Sequence, residues 1–220
     1  MAIKTYNISD TTETNLVEVK SVLEEIGNGY IDKMEYVDVE NDDNNKLKIY
    51  LGDKLILQLH KGKKSGTRMD FTAHIIDVVN NTSKEMYDGS YISNKAYCSK
   101  IVVTRNGIVI GRSGYQPTIF ISKTSNGNKG VVWHDGFGAY RNGILDSSSS
   151  EYVNFNDAYN ISEGKTQPTT TLVPIVCSGT DDYFPNVFAV PTCPYRGVES
   201  VLTLDGVKYY YNGYVALKDE

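Results

Sequence analysis

The sequence predicts an α+β, mostly β fold: antiparallel hairpins and meanders, sandwich- or barrel-like, with one N-terminal amphipathic helix. Three observations predict it. Short apolar runs recur along the chain, set apart by Gly, Asn and Asp turn residues. Only residues 12–26 keep a helical period. The chain closes on a three-strand meander, Val201–Leu217, whose turns are Asp205-Gly206 and Asn212-Gly213, dipeptides that accept positive φ in a two-residue hairpin turn. A chain that finishes on a strand is expected to have its C-terminus held down by the rest of the fold.

The helix rests on Leu16, Val19, Leu23 and Ile26, spaced 3, 4 and 3, an amphipathic stripe. Thr12 or Ser9 can cap its start, and Gly27-Asn28-Gly29 stops it. From Tyr30 the period changes to two, and Tyr30–Val39 alternates over much of its length. A polar Asn/Asp loop follows, then Lys48–Leu51, a Gly52-Asp53 turn and Leu55–Leu59, a meander whose apolar face can take the helix. Phe71–Val79 is a further candidate strand.

Ile101–Thr104, the turn Arg105-Asn106-Gly107 and Ile108–Ile110 make a hairpin. Pro117–Lys123, the loop Ser125–Gly130 and Val131–His134 make a second. Beyond Gly136 the chain reads as irregular. The Thr/Pro-rich Gln167–Pro174 reads as a crossing loop or edge strand, because Pro cannot donate to a ladder. A soft boundary near residues 80–97 separates a helix-plus-meander region, 1–80, from a β-rich region, 98–220, as two regions or one continuous domain. No internal repeat of fixed period is present.

Hydrophobic residues at 40% and charged residues at 22% describe a globular chain, not a disordered one. Tyr supplies 17 of the aromatics against 6 Phe and 1 Trp, which suits half-buried sheet faces and protein interfaces. The net charge of -5 argues against a nucleic-acid partner. The one basic cluster, Lys61–Arg68, reads as a solvated loop. No apolar run approaches the ~20 residues that span a bilayer, so no membrane partner is expected. The first ten residues lack a basic-then-apolar signal pattern. Cys98, Cys177 and Cys193 therefore read as reduced thiols of a protein made in the cytoplasm.

Trp133-His134-Asp135, followed by Gly136-Phe137-Gly138, is the best candidate ligand site, since a His beside an Asp after a strand can act as base or metal ligand. The plainer reading is a hairpin end with a polar pair at its mouth, and it is favoured because no two of the three His stand at metal-ligand spacing. His60 closes a strand beside the basic cluster, and His74 sits within an apolar one. There is no G-x-S-x-G elbow, and Lys61–Gly66 shares only its composition with a phosphate loop. The Asp/Asn stretches at 41–45 and 181–182 lack the alternating ligand order of a calcium loop. The expectation is a protein that is not an enzyme and needs no cofactor or metal; a metal-dependent hydrolase is the third-ranked alternative. Tyr209, Tyr210, Tyr211 and Tyr214 can stack on sugar rings, but a Tyr-rich strand packed on its own sheet or a neighbouring subunit is the better expectation.

The ending Leu202–Leu217 resembles the C-termini of small virion proteins from tailed bacteriophages and phage-tail-like particles of low-GC Gram-positive hosts. These often close on an apolar strand, an Asp-Gly turn, a K-Y-Y strand and an N-G-Y strand, here at 202–204, 205–206, 208–210 and 212–214. Thr118–Trp133 also resembles them, with an F-I-x-K-T strand, a polar turn and a return strand. The resemblance implies a non-enzymatic structural subunit of tail, baseplate, neck or capsid surface, located in the virion and partnered by other virion proteins and copies of itself. It brings no catalytic motif. The expected subunit interface is Tyr209, Tyr210, Tyr211, Tyr214, Val215 and Leu217. The alternative function is a receptor- or carbohydrate-binding module, with a host-surface glycan on Trp133, His134 and Asp135.

Overall fold

The computed structural model describes residues 3–8, 15–27, 29–38, 45–52, 54–65, 68–77, 82–85, 100–111, 118–134, 140–144, 172–176, 181–189, 200–211 and 215–219. In chain order the elements are β1 (Lys4–Asn7), α1 (Asn15–Ile26), β2 (Lys33–Val37), β3 (Lys46–Leu51), β4 (Lys54–Ser65), β5 (Arg68–Asp77) and β6 (Thr82–Glu85). There follow β7 (Lys100–Thr104), β8 (Gly107–Gly111), β9 (Thr118–Lys123), β10 (Lys129–His134) and β11 (Tyr140–Ile144). The chain ends with β12 (Val173–Val176), β13 (Tyr183–Ala189), β14 (Ser200–Leu204), β15 (Val207–Tyr211) and β16 (Val215–Lys218). The protein is mostly β, and every strand pair among these residues is antiparallel.

Three open sheets are stacked. Sheet A runs β1-β7-β8-β9-β10-β11, sheet B runs β2-β3-β4-β5-β6, and sheet C runs β12-β13-β16-β15-β14. Alternation in sheet A sends side chains to both faces, and both are covered. Ile101, Val103, Ile108, Ile110, Ile119 and Ile121 join one core with Leu16, Val19 and Leu23 of α1 and with Leu47, Ile49, Leu57 and Leu59 of sheet B. Val102, Val109, Phe120 and Val132 point the other way into a second core, with Phe184, Val187, Tyr210, Val215 and Leu217 of sheet C. Strands buried on both faces read as near-continuous apolar runs, which is why Ile101–Val103 and Ile108–Ile110 show no alternation.

The helical stripe does what its spacing predicts. Leu16, Val19 and Leu23 are buried between sheets A and B, each contributing about 1.5–3 kcal/mol of burial. The helix stops at Gly27, whose N–H donates to the Leu23 carbonyl at 2.7 Å and whose own carbonyl accepts from Tyr30 and Ile31. Both caps expected at its start, Ser9 and Thr12, lie outside the described residues.

The C-terminal meander forms as β14, β15 and β16, and its first turn has Asp205 at φ 50° and Gly206 at φ 82°, the two positive angles of the primed turn. Pro174 sits on the edge strand β12, as a proline must. Pro185 lies within β13 at a bulge, where the pairing to β12 jumps between Pro174 and Ile175.

Three expectations need correcting. The basic cluster Lys61–Arg68 is not all loop: β4 runs on to Ser65 and pairs with β5 through Ser65↔Arg68. His60 accordingly lies within β4 and does not end it. The chain past Gly136 is not all irregular, because Tyr140–Ile144 pairs with β10. The N-terminus, which carries no strand signal, forms β1 beside β7. This pairing and the shared core tie residues of the 1–80 region to those of 98–220.

Gly107 shows how tightly β8 lies against β9 within sheet A, with sheet C close behind. A Cβ there would stand 2.4 Å from the Ile121 carbonyl oxygen and 3.3 Å from Leu217 Cδ1. Gly107→Ala is therefore expected to destabilise the fold by about 1–3 kcal/mol, seen as a lower denaturant midpoint at unchanged m-value. An unchanged midpoint would mean that these elements are not so closely apposed.

Candidate functional site

Three hairpin turns are held in place by aspartates brought from elsewhere in the chain. The first is the β7–β8 turn, Arg105-Asn106. Its Arg105 N–H donates to Asp219 Oδ1 at 3.1 Å, and its Asn106 N–H to Thr104 Oγ1 at 3.1 Å. The two carbonyls accept from Tyr30 Oη at 2.5 Å and Ser122 Oγ at 2.6 Å. All four backbone groups of the turn are thus bonded to side chains. The Lys218 carbonyl, one residue before Asp219, accepts from Thr104 Oγ1 at 3.2 Å and Asn106 Nδ2 at 3.1 Å. Asp219 itself is 1% exposed, and its N–H donates to Lys208 of β15 at 2.8 Å. This clasp ties the end of β16, already paired with β13 and β15, to the β7–β8 turn.

The second is the β9–β10 turn. Asp182, 2% exposed at the start of β13, accepts from Ser125 Oγ at 2.6 Å, Asn126 N–H at 3.1 Å and Asn128 Nδ2 at 3.4 Å. Tyr183 N–H also reaches Asp182 at 3.0 Å, and its carbonyl accepts from Ser125 N–H at 2.7 Å. Burial works to raise the Asp182 carboxyl, yet hydrogen bonds from the Ser125 hydroxyl and the Asn126 and Tyr183 amides outweigh it and hold it below the usual carboxylate range. The third turn joins β3 and β4. There Asp32 takes the Gly52 N–H at 2.7 Å and pairs with Lys129 of sheet A. The Lys129 hydrogen bond, with Gly52 behind it, lowers this more exposed carboxyl. Sequence reading missed all three. Asp182 drew notice only as a weak calcium candidate, and nothing local marks Asp32 or Asp219.

The meander residues expected at a subunit interface are mostly inside the chain. Tyr209, Tyr210, Tyr211, Val215 and Leu217 are all buried, with Tyr210, Val215 and Leu217 in the core between sheets A and C. Tyr209 and Tyr211 pack with Ala216 on the other face of sheet C, where Phe188 meets Tyr209 edge-on at 5.9 Å. Tyr214 lies outside the described residues. The exposed side chains of this meander lie on the β14–β15 hairpin, where Val201 is 54% exposed and Thr203 and Lys208 are also exposed.

Trp133 and His134 close β10, opposite Ile119 and Thr118 on one side and Arg141 and Tyr140 on the other. Asp135 and all three cysteines lie outside the described residues. Among the described residues no three His, Cys, Asp or Glu gather as metal ligands, and no helix is long and apolar enough to cross a membrane. A groove of about 490 Å³ lies between Lys4 and Tyr6 of β1, Glu25 and Ile26 at the end of α1, and Tyr30 and Arg105. Burial raises the Tyr30 hydroxyl, and the Lys123 ammonium stands 5.8 Å from its ring centroid.

No family model, curated protein or solved structure matches the chain. The arrangement joins sheets through carboxylates and hydroxyls at their turns, with apolar cores between.

A carboxylate held below its unfolded value, about 3.9 for Asp, stabilises the fold fully above that value. That contribution is lost as pH falls through the lower folded value. Asp182→Asn is therefore expected to lower the thermal midpoint at pH 7, and the gap to the parent protein is expected to narrow below about pH 4. Thermal melts of both proteins across that range test this. A gap that stays constant into acid would show that the charge at Asp182 is not what holds the turn.

Proposed function

We propose that this chain is a non-enzymatic structural subunit of a bacteriophage virion or phage-tail-like particle, a component of tail, baseplate, neck or capsid surface. It acts through contacts with other virion proteins and with copies of itself. The observation that carries the reading joins the two stretches that resemble virion proteins. Thr118–Trp133 and Leu202–Leu217 lie far apart in sequence, yet Phe120 and Val132 of the first share one core with Tyr210, Val215 and Leu217 of the second. The resemblance thus falls on one contiguous part of the fold and not on two unrelated hairpins. The clasps at Asp182 and Asp219 support the same role, because they brace hairpins against displacement. Edge strands suited to main-chain pairing with a neighbour include β14, which among the described residues has β15 as its one partner.

Density-gradient banding of particles from the source culture, followed by mass spectrometry of the band, tests this. The chain is expected in the band in many copies per particle. Its confinement to the unbanded fraction would refute the proposal.

A second reading, a receptor- or carbohydrate-binding module, is favoured by the groove beside α1. Tyr6 and Tyr30 offer ring surface next to Lys4, Glu25 and Arg105, which can donate to and accept from sugar hydroxyls. On this reading Tyr6→Ala abolishes binding to host-surface glycan, while the protein still melts cooperatively, at a midpoint lowered by the lost packing of Tyr6 on the core. Equal glycan binding by both proteins would exclude the groove.

A further inference from the structure

We propose that the groove beside α1 holds a sugar unit bearing one acidic group, with its carboxylate or phosphate seated between Lys4 and Arg105. The inference deepens the second reading above and rests on it for the saccharide. It adds the charge of the ligand and the way round that the ligand lies.

The register of sheet A assembles a cationic side. Lys4 is paired with Val103, and Tyr6 with Ile101. Side chains alternate along a strand, and Tyr6, Ile101 and Val103 all belong to the core shared with α1, so Lys4 stands on that face too. Ile3, one residue earlier, packs in the opposite core. Arg105 follows Val103 by two residues, just past the last pair of β1 with β7, and lines the same groove. The two cations therefore meet at one end of it. The Arg105 backbone is fixed there from both sides: its N–H donates to Asp219 at 3.1 Å, and its carbonyl accepts from Tyr30 Oη at 2.5 Å. Lys123, 5.8 Å from the Tyr30 ring centroid, adds a third positive charge nearby.

The facing wall is negative. It is the end of α1, Glu25 and Ile26. The carbonyl end of a helix carries partial negative charge, and the last turn of α1 has no basic residue to offset it. Glu24 pairs with Lys20, whereas among the described residues neither Glu25 nor Lys4 has an ion-pair partner. Opposite charges thus line one groove without meeting. Its volume, about 490 Å³, lies in the range of about 300–1,000 Å³ found for small-ligand sites.

That polarity selects the ligand. An acidic group between Lys4 and Arg105 makes charge-assisted hydrogen bonds, and hydroxyls at the other end donate to the Glu25 carboxylate. The Tyr6 ring and Val103 between them take the apolar face of a pyranose. A sugar whose only charge is an ammonium meets Lys4, Arg105 and Lys123 against the single carboxylate of Glu25, and is repelled.

Amide NMR titrations of the isotopically labelled full chain with glucuronate, glucose-6-phosphate, glucose and glucosamine test this. At least one of the two acids is expected to shift the amides of Tyr6, Ile26 and Arg105 saturably, and the tighter of them identifies the acidic group. Glucose and glucosamine are expected to bind about tenfold more weakly or not at all, the loss of one charge-assisted bond. Lys4 is exposed, so Lys4→Gln is expected to weaken acid binding about tenfold with an unchanged thermal midpoint, and Lys4→Arg to retain it. Glucose bound as tightly as the acids, or acid binding that survives Lys4→Gln, would overturn the inference and leave the carbohydrate reading standing. A preference for glucosamine would do the same. Binding by none of the four sugars would refute that reading and the inference together.

Discussion

The burial of sheet A on both faces is the constraint on which the rest of the structure depends. A sheet with one wet face can leave its hairpin turns to solvent. Sheet A is enclosed by α1 and sheet B on one side and sheet C on the other, and its hairpin turns come against two aspartates of the sheet C region. Asp219 and Asp182 are each nearly inaccessible, and each accepts the N–H of an exposed turn residue, Arg105 and Asn126. Such bonds to a charged acceptor contribute about 1.5–3 kcal/mol each. Because both aspartates flank strands of sheet C, the bonds that satisfy the turns of sheet A also join the two sheets. Asp32 performs the corresponding service toward sheet B through Gly52 and Lys129, in a wetter setting where the pair contributes less.

Such construction has a consequence for function. Most described tyrosines of the C-terminal meander serve the chain's own cores, and the exposed side chains there fall on the β14–β15 hairpin. The proposed role as a particle subunit draws on that exposed hairpin and on turns braced between sheets. The same bracing also gives the groove beside α1 a preformed shape, which is what a ligand-binding module requires.

Legibility in the sequence followed locality. The helix was plain because its stripe, Leu16, Val19, Leu23 and Ile26, lies within one element. The hairpins at Arg105-Asn106 and Asp205-Gly206 were plain because turn chemistry is carried by adjacent residues. The length of β4 was hidden by its own lysines: a run rich in Lys and Gly has low strand propensity, and pairing with β5 overrides it. β1 was hidden for a similar reason, since Lys4–Asn7 has little alternation and acquires its place from β7. The three aspartates could not be found at all, because each carboxylate meets an amide from 20 to 114 positions away. Tyrosine content pointed to packed or shared surfaces without saying which, and burial assigns most of the described meander to the interior.

The sequence by itself determined the class of fold, the one helix and the hairpin turns, since periodicity and turn propensity are properties of neighbouring residues. Only the tertiary structure decided which sheets stack and which aspartate closes which turn. Those outcomes depend on burial and on hydrogen bonds between distant segments, where a buried carboxylate must find donors that no local pattern announces.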